Sequence, residues 1–345
     1  MTEPRRVRWP STLIAVVVAA VATWVPFNST PVFTTDATQL IALTLAFAGL
    51  ILITHHLGLL SLGQGAMVGL GSAASLHAVN DFGLSPSAMP LAGLIVGFAA
   101  GALIAIPSLR LPKAYLALLT LSMAVAFPIV LRQIDGPLPV TLDAEFLPPA
   151  WTGIDARDEH IWEYFIVLAW TVVAMLLLAR LMRGPIGRAF IASRDDPQAA
   201  AAYGIPVYRL RLYGVALSGA LAGLAGGLLV VPVNFTDAPL YSSTNSIKMF
   251  ALAMAFGGPR IIYALPTSAV FVLLPVWLED REWVADSGWI GLLKSEGFIY
   301  AALLLATAHL TAGKGFSNLI EERRTARRLG IRPQPLIRSR HVSID

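Results

Sequence analysis

The chain has 345 residues with 25 Lys+Arg against 21 Asp+Glu, a net charge of +4, yet charged residues make up only 13% of it. Soluble domains average about 25% charged residues, and a chain that is 56% hydrophobic with mean hydropathy +0.68 has too little polar surface to face water on every side. Soluble, disordered and nucleic-acid-binding classes are thereby excluded, the basic pI near 9.5 belongs to loops, and zero Cys excludes disulfides, thiolate metal sites and cysteine nucleophiles.

A hydrocarbon core about 30 Å thick needs roughly 20 mostly apolar residues in a helix. Charge-poor stretches of this kind run over 12–27, 37–54, 58–79, 88–108, 114–131, 162–179, 212–233, 246–258, 261–278 and 297–312. The pattern predicts an all-α integral membrane protein with about ten transmembrane helices. Arg5, Arg6 and Arg8 ahead of the first stretch also fit a signal peptide, but its apolar run continues through Trp24 and Val25, which favours a retained helix. The eighth stretch is the weakest, with Lys248 near its start and Gly257-Gly258-Pro259 at its end, and reads as either a full or a re-entrant segment.

Cytoplasmic loops carry the excess of Lys and Arg. With the N-terminus inside, ten spans leave only Arg132, Arg157, Lys248, Arg281 and Lys294 on the outside, where the acids Asp143, Glu145, Asp155, Asp158 and Glu159 cluster in one loop and Glu279, Asp280, Glu282 and Asp286 in another. An N-in, C-in topology follows as the expectation. It gives a transmembrane domain over 1–312, whose long cytoplasmic loop spans 182–211, and a basic cytoplasmic tail over 313–345. Arg323 to Arg340 in that tail could bind anionic membrane lipid or a cytoplasmic ATPase partner, although the positive-inside effect alone accounts for them.

A proton-coupled carrier needs ionisable residues at membrane depth, and the spans hold almost none. His77 and His309 lie near span ends, His55-His56 occupies a tight turn, and no histidine pair or carboxylate cluster has metal-ligand spacing; Asp195-Asp196 comes nearest. There is no GxxxxGK[ST] loop, so ATP hydrolysis by that route would belong to another chain. The run from Gly63 to Gly69 lacks the strand and spacing of a dinucleotide site. No catalytic, cofactor or metal site is expected.

Small residues recur at helix-packing spacing, at Gly65 and Gly69, Gly97 and Gly101, and Ser218-Gly219, Gly223 and Gly226-Gly227. The polar cluster Ser61, Gly63 and Gln64 fits either the wall of a translocation path with a locally broken helix or interhelical hydrogen bonding. Thr120, Ser122 and Ser218 are further path candidates, although a hydroxyl on a helix also bonds to its own backbone.

The 182–211 loop encodes a short helix by local chemistry. Pro185 and Gly187 interrupt the incoming span, Asp195 or Asp196 caps the helix with Pro197 in its first turn, Gln198 to Tyr203 favour helix, Gly204 ends it and Pro206 prevents resumption. Flanked by Arg188, Arg194 and Arg209, its largely alanine face suits a groove in a partner protein better than the headgroup region.

Three segments resemble the permease subunit of branched-chain amino acid ATP-binding-cassette importers, the LivM family. They are Leu60-Ser61-Leu62-Gly63-Gln64-Gly65-Ala66, Leu109-Arg110-Leu111 with Tyr115, Thr120 and Leu121, and the region from Gly187-Arg188-Ala189 to Gly226. The resemblance implies an inverted-repeat ABC importer permease fold, a second permease chain, two cytoplasmic ATPase subunits and an extracytoplasmic substrate-binding protein. It also implies that Arg188 to Gly204 form the coupling helix, with Arg188, Arg194, Asp195, Gln198, Ala199, Ala200 and Gly204 engaging the ATPase. Ala124-Val125-Ala126, Gly136-Pro137-Leu138-Pro139 and Gly257-Gly258-Pro259-Arg260 depart from the family pattern. The cargo implied is a branched-chain or other small neutral amino acid, the alternatives being urea or a short amide, or an ATP-independent carrier. A membrane scaffold or lipid-processing enzyme would require loop carboxylate or histidine clusters with metal-ligand spacing, which the sequence lacks.

Overall fold

The computed structural model describes residues 25–108, 113–136, 138–143 and 158–279, with the isolated positions 146, 148, 300, 302 and 305. The expected spans 12–27 and 297–312 therefore lie almost wholly outside the described residues, as do Leu109-Arg110-Leu111 and the tail 313–345. Helices are numbered here from the first that starts within the described residues. In chain order they are α1 (Pro31–Ile51), α2 (Gln64–Asn80), α3 (Met89–Ser108), α4 (Lys113–Asp135), α5 (Glu159–Arg183), α6 (Pro185–Asp195), α7 (Pro197–Ala202), α8 (Val207–Val233), α9 (Ser243–Phe256) and α10 (Ala264–Glu279).

Thr30 caps α1 by accepting from the Phe33 N–H, and Pro31 occupies its first position. The helix then loosens into a π-turn over Leu52–His56. With that turn it is, among the described residues, one of five helical segments long and apolar enough to cross a membrane, the others being Pro86–Pro107, Tyr115–Ile134, Glu159–Arg183 and Val207–Val233; Ile261–Trp277 is a shorter apolar helix. Burial grades these segments. The Val207–Val233 segment is 89% buried and Pro31–His56 72%, whereas those of α3, α4 and α5 fall to 33%, 28% and 22%. The last three therefore form the outer wall against lipid or another chain, and α8 is the axis.

Small residues make that axis possible. Gly93, Gly97 and Gly101 of α3 face Gly219 and Gly223 of α8, and a Cβ on Gly101 would sit 2.9 Å from the Val215 carbonyl oxygen. On another side Gly71 of α2 meets the Gly223 backbone, and Gly226 meets Val68. Hydrocarbon supplies no hydrophobic force between helices, so close backbone approach and the dispersion contact it permits hold them together. The packing role expected of Gly97, Gly101, Gly219 and Gly223 is thus found.

The stretch 58–79 is not one helix. Leu57 to Gly63 run as irregular chain, buried except at Leu60 and in part at Gly58 and Leu62, with Gly58 turning at φ +64, and α2 begins only at Gln64. Its 17 residues, about 26 Å at 1.5 Å per residue, fall short of the membrane. The weak eighth stretch is similar: α9 has 14 residues, about 21 Å long. An irregular link, comprising strand β2 (Phe235–Thr236) and a 3-10 turn at Ala238–Tyr241, precedes it as Leu57 to Gly63 precede α2.

The order long helix, irregular link, short helix, helix thus occurs twice, as α1 to α3 and as α8 to α10. The paired members run oppositely: Leu57 lies against Gly214 while Gly49 lies against Ser218, and Gly65 lies against Ser246 while Gly69 lies against Tyr241. Each long helix also packs on the last helix of the other set, α8 on α3 and α1 on α10, where the Thr44 and Ser268 hydroxyls meet at 2.8 Å. At the end remote from α6 and α7, β1 (Val140–Thr141) pairs antiparallel with β2. Asn80 reinforces the pair, donating to the Thr141 carbonyl and accepting from the Asp143 N–H.

Candidate functional site

Two regions hold all but one of the expected functional residues, and the Arg194 side chain joins them. The first is the loop 182–211. Gly184 ends α5, Pro185 opens α6 at once, and Gly187 fits against the Met182 backbone, where a side chain would clash. Phe190, 1% exposed, anchors α6 to the bundle.

The implied coupling helix Arg188 to Gly204 is two helices, a correction with a clear cause. Pro197 disfavours helical backbone in the residue before it. Asp196 accordingly takes φ −146, ψ 97 and caps α7, its Oδ1 accepting from the N–H groups of Gln198 and Ala199 at 3.0 Å each. At the other end Gly204 adopts φ +82 and donates to the Ala201 carbonyl at 2.9 Å, while the Ile205 N–H reaches the Ala200 carbonyl at 3.1 Å. These two bonds form a Schellman ending. A helix of six residues is thus capped at both ends, by Asp196 and by the turn at Gly204.

Of the seven coupling candidates, Arg188, Asp195, Gln198, Ala199 and Gly204 are exposed, Ala200 is turned into the protein at 4% exposure, and Arg194 is half-buried. Ala201, Ala202 and Tyr203 join the exposed set, with Tyr203 standing out at 88%. Tyr203 was legible in sequence only as part of a helix-forming run; that it becomes the single large side chain on an alanine surface depends on the turn at Gly204.

The second region is the irregular chain Leu57 to Gly63 and the start of α2. Ser61 and Gly63 are buried. Gly63 leaves no room for a side chain, since its Cβ would lie 2.5 Å from the Thr120 carbonyl oxygen. Thr120 accepts from the Leu62 N–H at 3.0 Å and donates to the carbonyls of its own helix, so its hydroxyl ties the irregular chain to α4. Gln64 donates from Nε2 to the Ala46 carbonyl at 2.8 Å, and Ser218 donates to the Gly49 carbonyl at 2.8 Å. Interhelical hydrogen bonding is therefore what Gln64 and Ser218 do here. Ser122 differs: it lies on the exposed face of α4 among Leu118, Val125 and Ile129, its hydroxyl bonded to the Leu118 carbonyl at 2.9 Å. The structure thus gathers Ser61, Gly63, Gln64 and Thr120, with Ser218 behind α1, and leaves Ser122 on a separate face.

Arg194 joins the regions. From the last turn of α6 its Nη1 donates to the His55 carbonyl, its stem covers Gly58, and its guanidinium pairs with Asp195 at 2.8 Å. Arg211, at the start of α8, donates to the Ser193 carbonyl at 2.8 Å and holds the same turn from the other side. Nothing in the local sequence distinguishes these two arginines from surface charges, because their partners are distant in the chain. Among the described residues no group of His, Asp or Glu is arranged to hold a metal ion.

The family described as branched-chain amino acid transport system / permease component matches residues 32–308. The high-affinity branched-chain amino acid transport system permease protein LivM of Escherichia coli (strain K12) is 28% identical over 316 residues, covering 85% of this chain and 72% of the relative. The autoinducer 2 import system permease protein LsrC of Yersinia pestis is 23% identical, covering 78% and 77%. A probable branched-chain amino acid transport permease protein LivH of Methanocaldococcus jannaschii is 29% identical over 216 residues, covering 59% and 66%. No solved structure shows significant similarity to the chain. With a helical bundle whose outer wall suits lipid and a match that spans most of its length, this chain belongs to the branched-chain amino acid transport permease family and is a multi-pass protein of the bacterial inner membrane.

Proposed function

We propose that the chain is the membrane-spanning permease of an ATP-binding-cassette importer for branched-chain or other small neutral amino acids, driven by ATP hydrolysis in partner subunits. The observation that carries the reading is the α6–α7 surface. A helix capped at both ends presents Gln198, Ala199, Ala201, Ala202 and Tyr203 outward, a smooth face with one aromatic knob that suits a groove. In this reading α6 and α7 lie on the cytoplasmic side, two ATPase subunits dock on them in the full assembly, and Arg188 and Asp195 flank the contact.

Ten spans with both termini inside, a permease domain over 1–312 and a basic tail over 313–345 belong to the same proposal. The charge distribution and the opposite running of α1 to α3 and α8 to α10, the pattern of an inverted repeat, support it. The exposed α4 face around Ser122 would meet the second permease chain, with the path between them, and Ser61, Gly63, Gln64, Thr120 and Ser218 would form and brace its wall. An extracytoplasmic binding protein would deliver cargo near the β1–β2 end. Neutral hydroxyls and an amide, rather than charges, suit a zwitterionic cargo, and the relatives named for branched-chain amino acids point the same way.

The test is uptake of labelled leucine, alanine and urea by vesicles holding the chain with its neighbouring permease, ATPase and binding-protein chains, with and without ATP. ATP-dependent leucine uptake is the expected result. Equilibration without ATP would overturn the importer reading, and urea uptake alone would overturn the cargo.

A further inference from the structure

We propose that Arg194 is the positioning residue through which movement of α6–α7 reaches the irregular chain Leu57 to Gly63, so that coupling runs across this contact rather than along the covalent continuations into α5 and α8. The inference rests on the importer reading and concerns how the docked surface is linked to the path.

Three features carry it. First, Arg194 engages the end of α1 where that helix has run out of partners of its own. The π-turn at Leu52–His56 sends the Leu57 N–H to Leu52 and the Leu59 N–H to Ile53, and the His55 carbonyl receives the Arg194 Nη1. A cation at the negative end of a helix is stabilised by the dipole as well as by the hydrogen bond. Second, the contact is built for one residue on each side. Gly58 turns at φ +64, and a Cβ there would lie 2.6 Å from Arg194 Cγ, so glycine is required both by the backbone and by the stem lying over it. Third, Asp195 fixes the guanidinium at 2.8 Å and Arg211 fixes the neighbouring Ser193 carbonyl, so the last turn of α6 is rigid where it touches α1.

Beyond Gly58 the linkage is continuous. Leu57, fully buried, packs on Gly214 of α8; the Leu62 N–H bonds to Thr120 of α4; Gly63 lies against the Thr120 backbone; and Gln64 bonds to the Ala46 carbonyl. A shift of α6 must carry Gly58 with it or break a charge-assisted bond, and a shift of Gly58 displaces the wall of the path. The covalent exits from the loop pass through non-helical residues, and on the α8 side Arg211 ties only the base of that helix to the same turn, through the Ser193 carbonyl. Gly184 separates α6 from α5, and the Ile205-Pro206 link separates α7 from α8.

The chain has no cysteine, so a single thiol placed in the irregular stretch reports its surroundings. Leu60 is 43% exposed and suits this purpose. In the full complex in vesicles, Leu60→Cys is labelled with a membrane-impermeant maleimide with and without ATP and vanadate, alongside uptake, ATP hydrolysis and ATPase co-purification. The expected result is a labelling rate that changes with nucleotide. Arg194→Ala should abolish that change and cut uptake per ATP hydrolysed about tenfold, within the range of ordinary allosteric couplings, while the ATPase still co-purifies. Arg194→Lys, whose ammonium can reach His55 or Asp195 but not hold both, should restore part of the response, and it tests the inference if Arg194→Ala does not fold.

A labelling change and coupled uptake that survive in both variants would overturn the inference. So would loss of the ATPase from the Arg194→Ala complex, which would make Arg194 a docking residue, or a wild-type labelling rate indifferent to nucleotide. Failure of the wild-type chain to bind an ATPase at all would instead defeat the importer reading.

Discussion

Gly204 offers the sharpest test of whether α7 docks as a preformed surface. Its φ of +82 lies in the left-handed region, and a Cβ there would meet nothing within 4 Å. Replacement by alanine therefore adds no clash and costs only the backbone preference, about 1–2 kcal/mol for an L-residue held left-handed. Because the Gly204 and Ile205 N–H groups close the end of a six-residue helix, that cost falls on the capped form, and ATPase binding should weaken roughly 5- to 30-fold. Asparagine, which tolerates this conformation better than alanine, should weaken it less, although its side chain is larger. The assay is titration of ATPase subunit onto detergent-solubilised permease complex carrying Gly204→Ala or Gly204→Asn. Equal loss in both would show that the surface is sensitive to bulk and not to the turn; no loss with alanine would refute the preformed helix altogether.

Asp196→Ala removes the cap on Gln198 and Ala199 and should cost about 1 kcal/mol of helix stability, weakening ATPase binding several-fold in the same titration; Asp196→Ser should recover most of it. Gly223→Ala drives a methyl into the Gly93 carbonyl oxygen where α3 crosses α8. Overpacking of this kind costs about 1–3 kcal/mol, so thermal unfolding in detergent should begin at lower temperature, and an unchanged transition would show that α3 and α8 slide apart freely. Thr120→Val leaves the Leu62 N–H without its acceptor, at a cost of about 1–3 kcal/mol if no other group takes its place. Thr120→Ser should restore both stability and uptake, and equal behaviour of valine and serine would refute the tether.

The α7 helix was legible in sequence because its signals are local: Asp196, Pro197 and Gly204 satisfy the ends of six residues with no help from elsewhere. The same locality explains the miss on either side of it. Pro185 was read as ending a span, although proline is equally at home in the first turn of a helix, and α6 starts there. The beginning of α2 escaped for a different reason. Leu57 to Gly63 is apolar and uncharged, so hydropathy does not separate irregular chain from helix, and the groups that stabilise the break, Thr120, Ala46 and Arg194, come from three other elements. Gln64 and Ser218 were recognised as polar groups in an apolar setting, but their acceptors at Ala46 and Gly49 are long-range choices that no spacing reveals. Asn80 binds β1 from the end of α2 through partners about 60 residues away, which no local pattern marks.

The polar groups inside the bundle also argue for where the switch must lie. A backbone N–H or carbonyl exposed to hydrocarbon is costly, so irregular chain survives at membrane depth only where protein or water satisfies it. In the first link protein supplies such partners, Thr120 taking the Leu62 N–H and the π-turn carbonyls taking those of Leu57 and Leu59; around it Gln64 and Ser218 reach carbonyls of α1, and the Ser72 and Thr236 hydroxyls meet at 2.9 Å beside the second link. All of these groups are neutral. Their bonds can be exchanged without moving charge through the membrane, which a proton-driven cycle would have to do. In the proposed importer, the transition is then a rearrangement of two irregular links on opposite short helices, and only the first of them touches the α6–α7 end, through Arg194 and Gly58. Drive from the ATPase would then reach the first link directly, through Arg194, and the second set only at the base of α8, through Arg211 and Ser193; the second link, clasped by β1 at the far end, would follow through α8 and through the contacts of α2 with α9 at Gly65 and Ser246 and with the 3-10 turn at Gly69 and Tyr241.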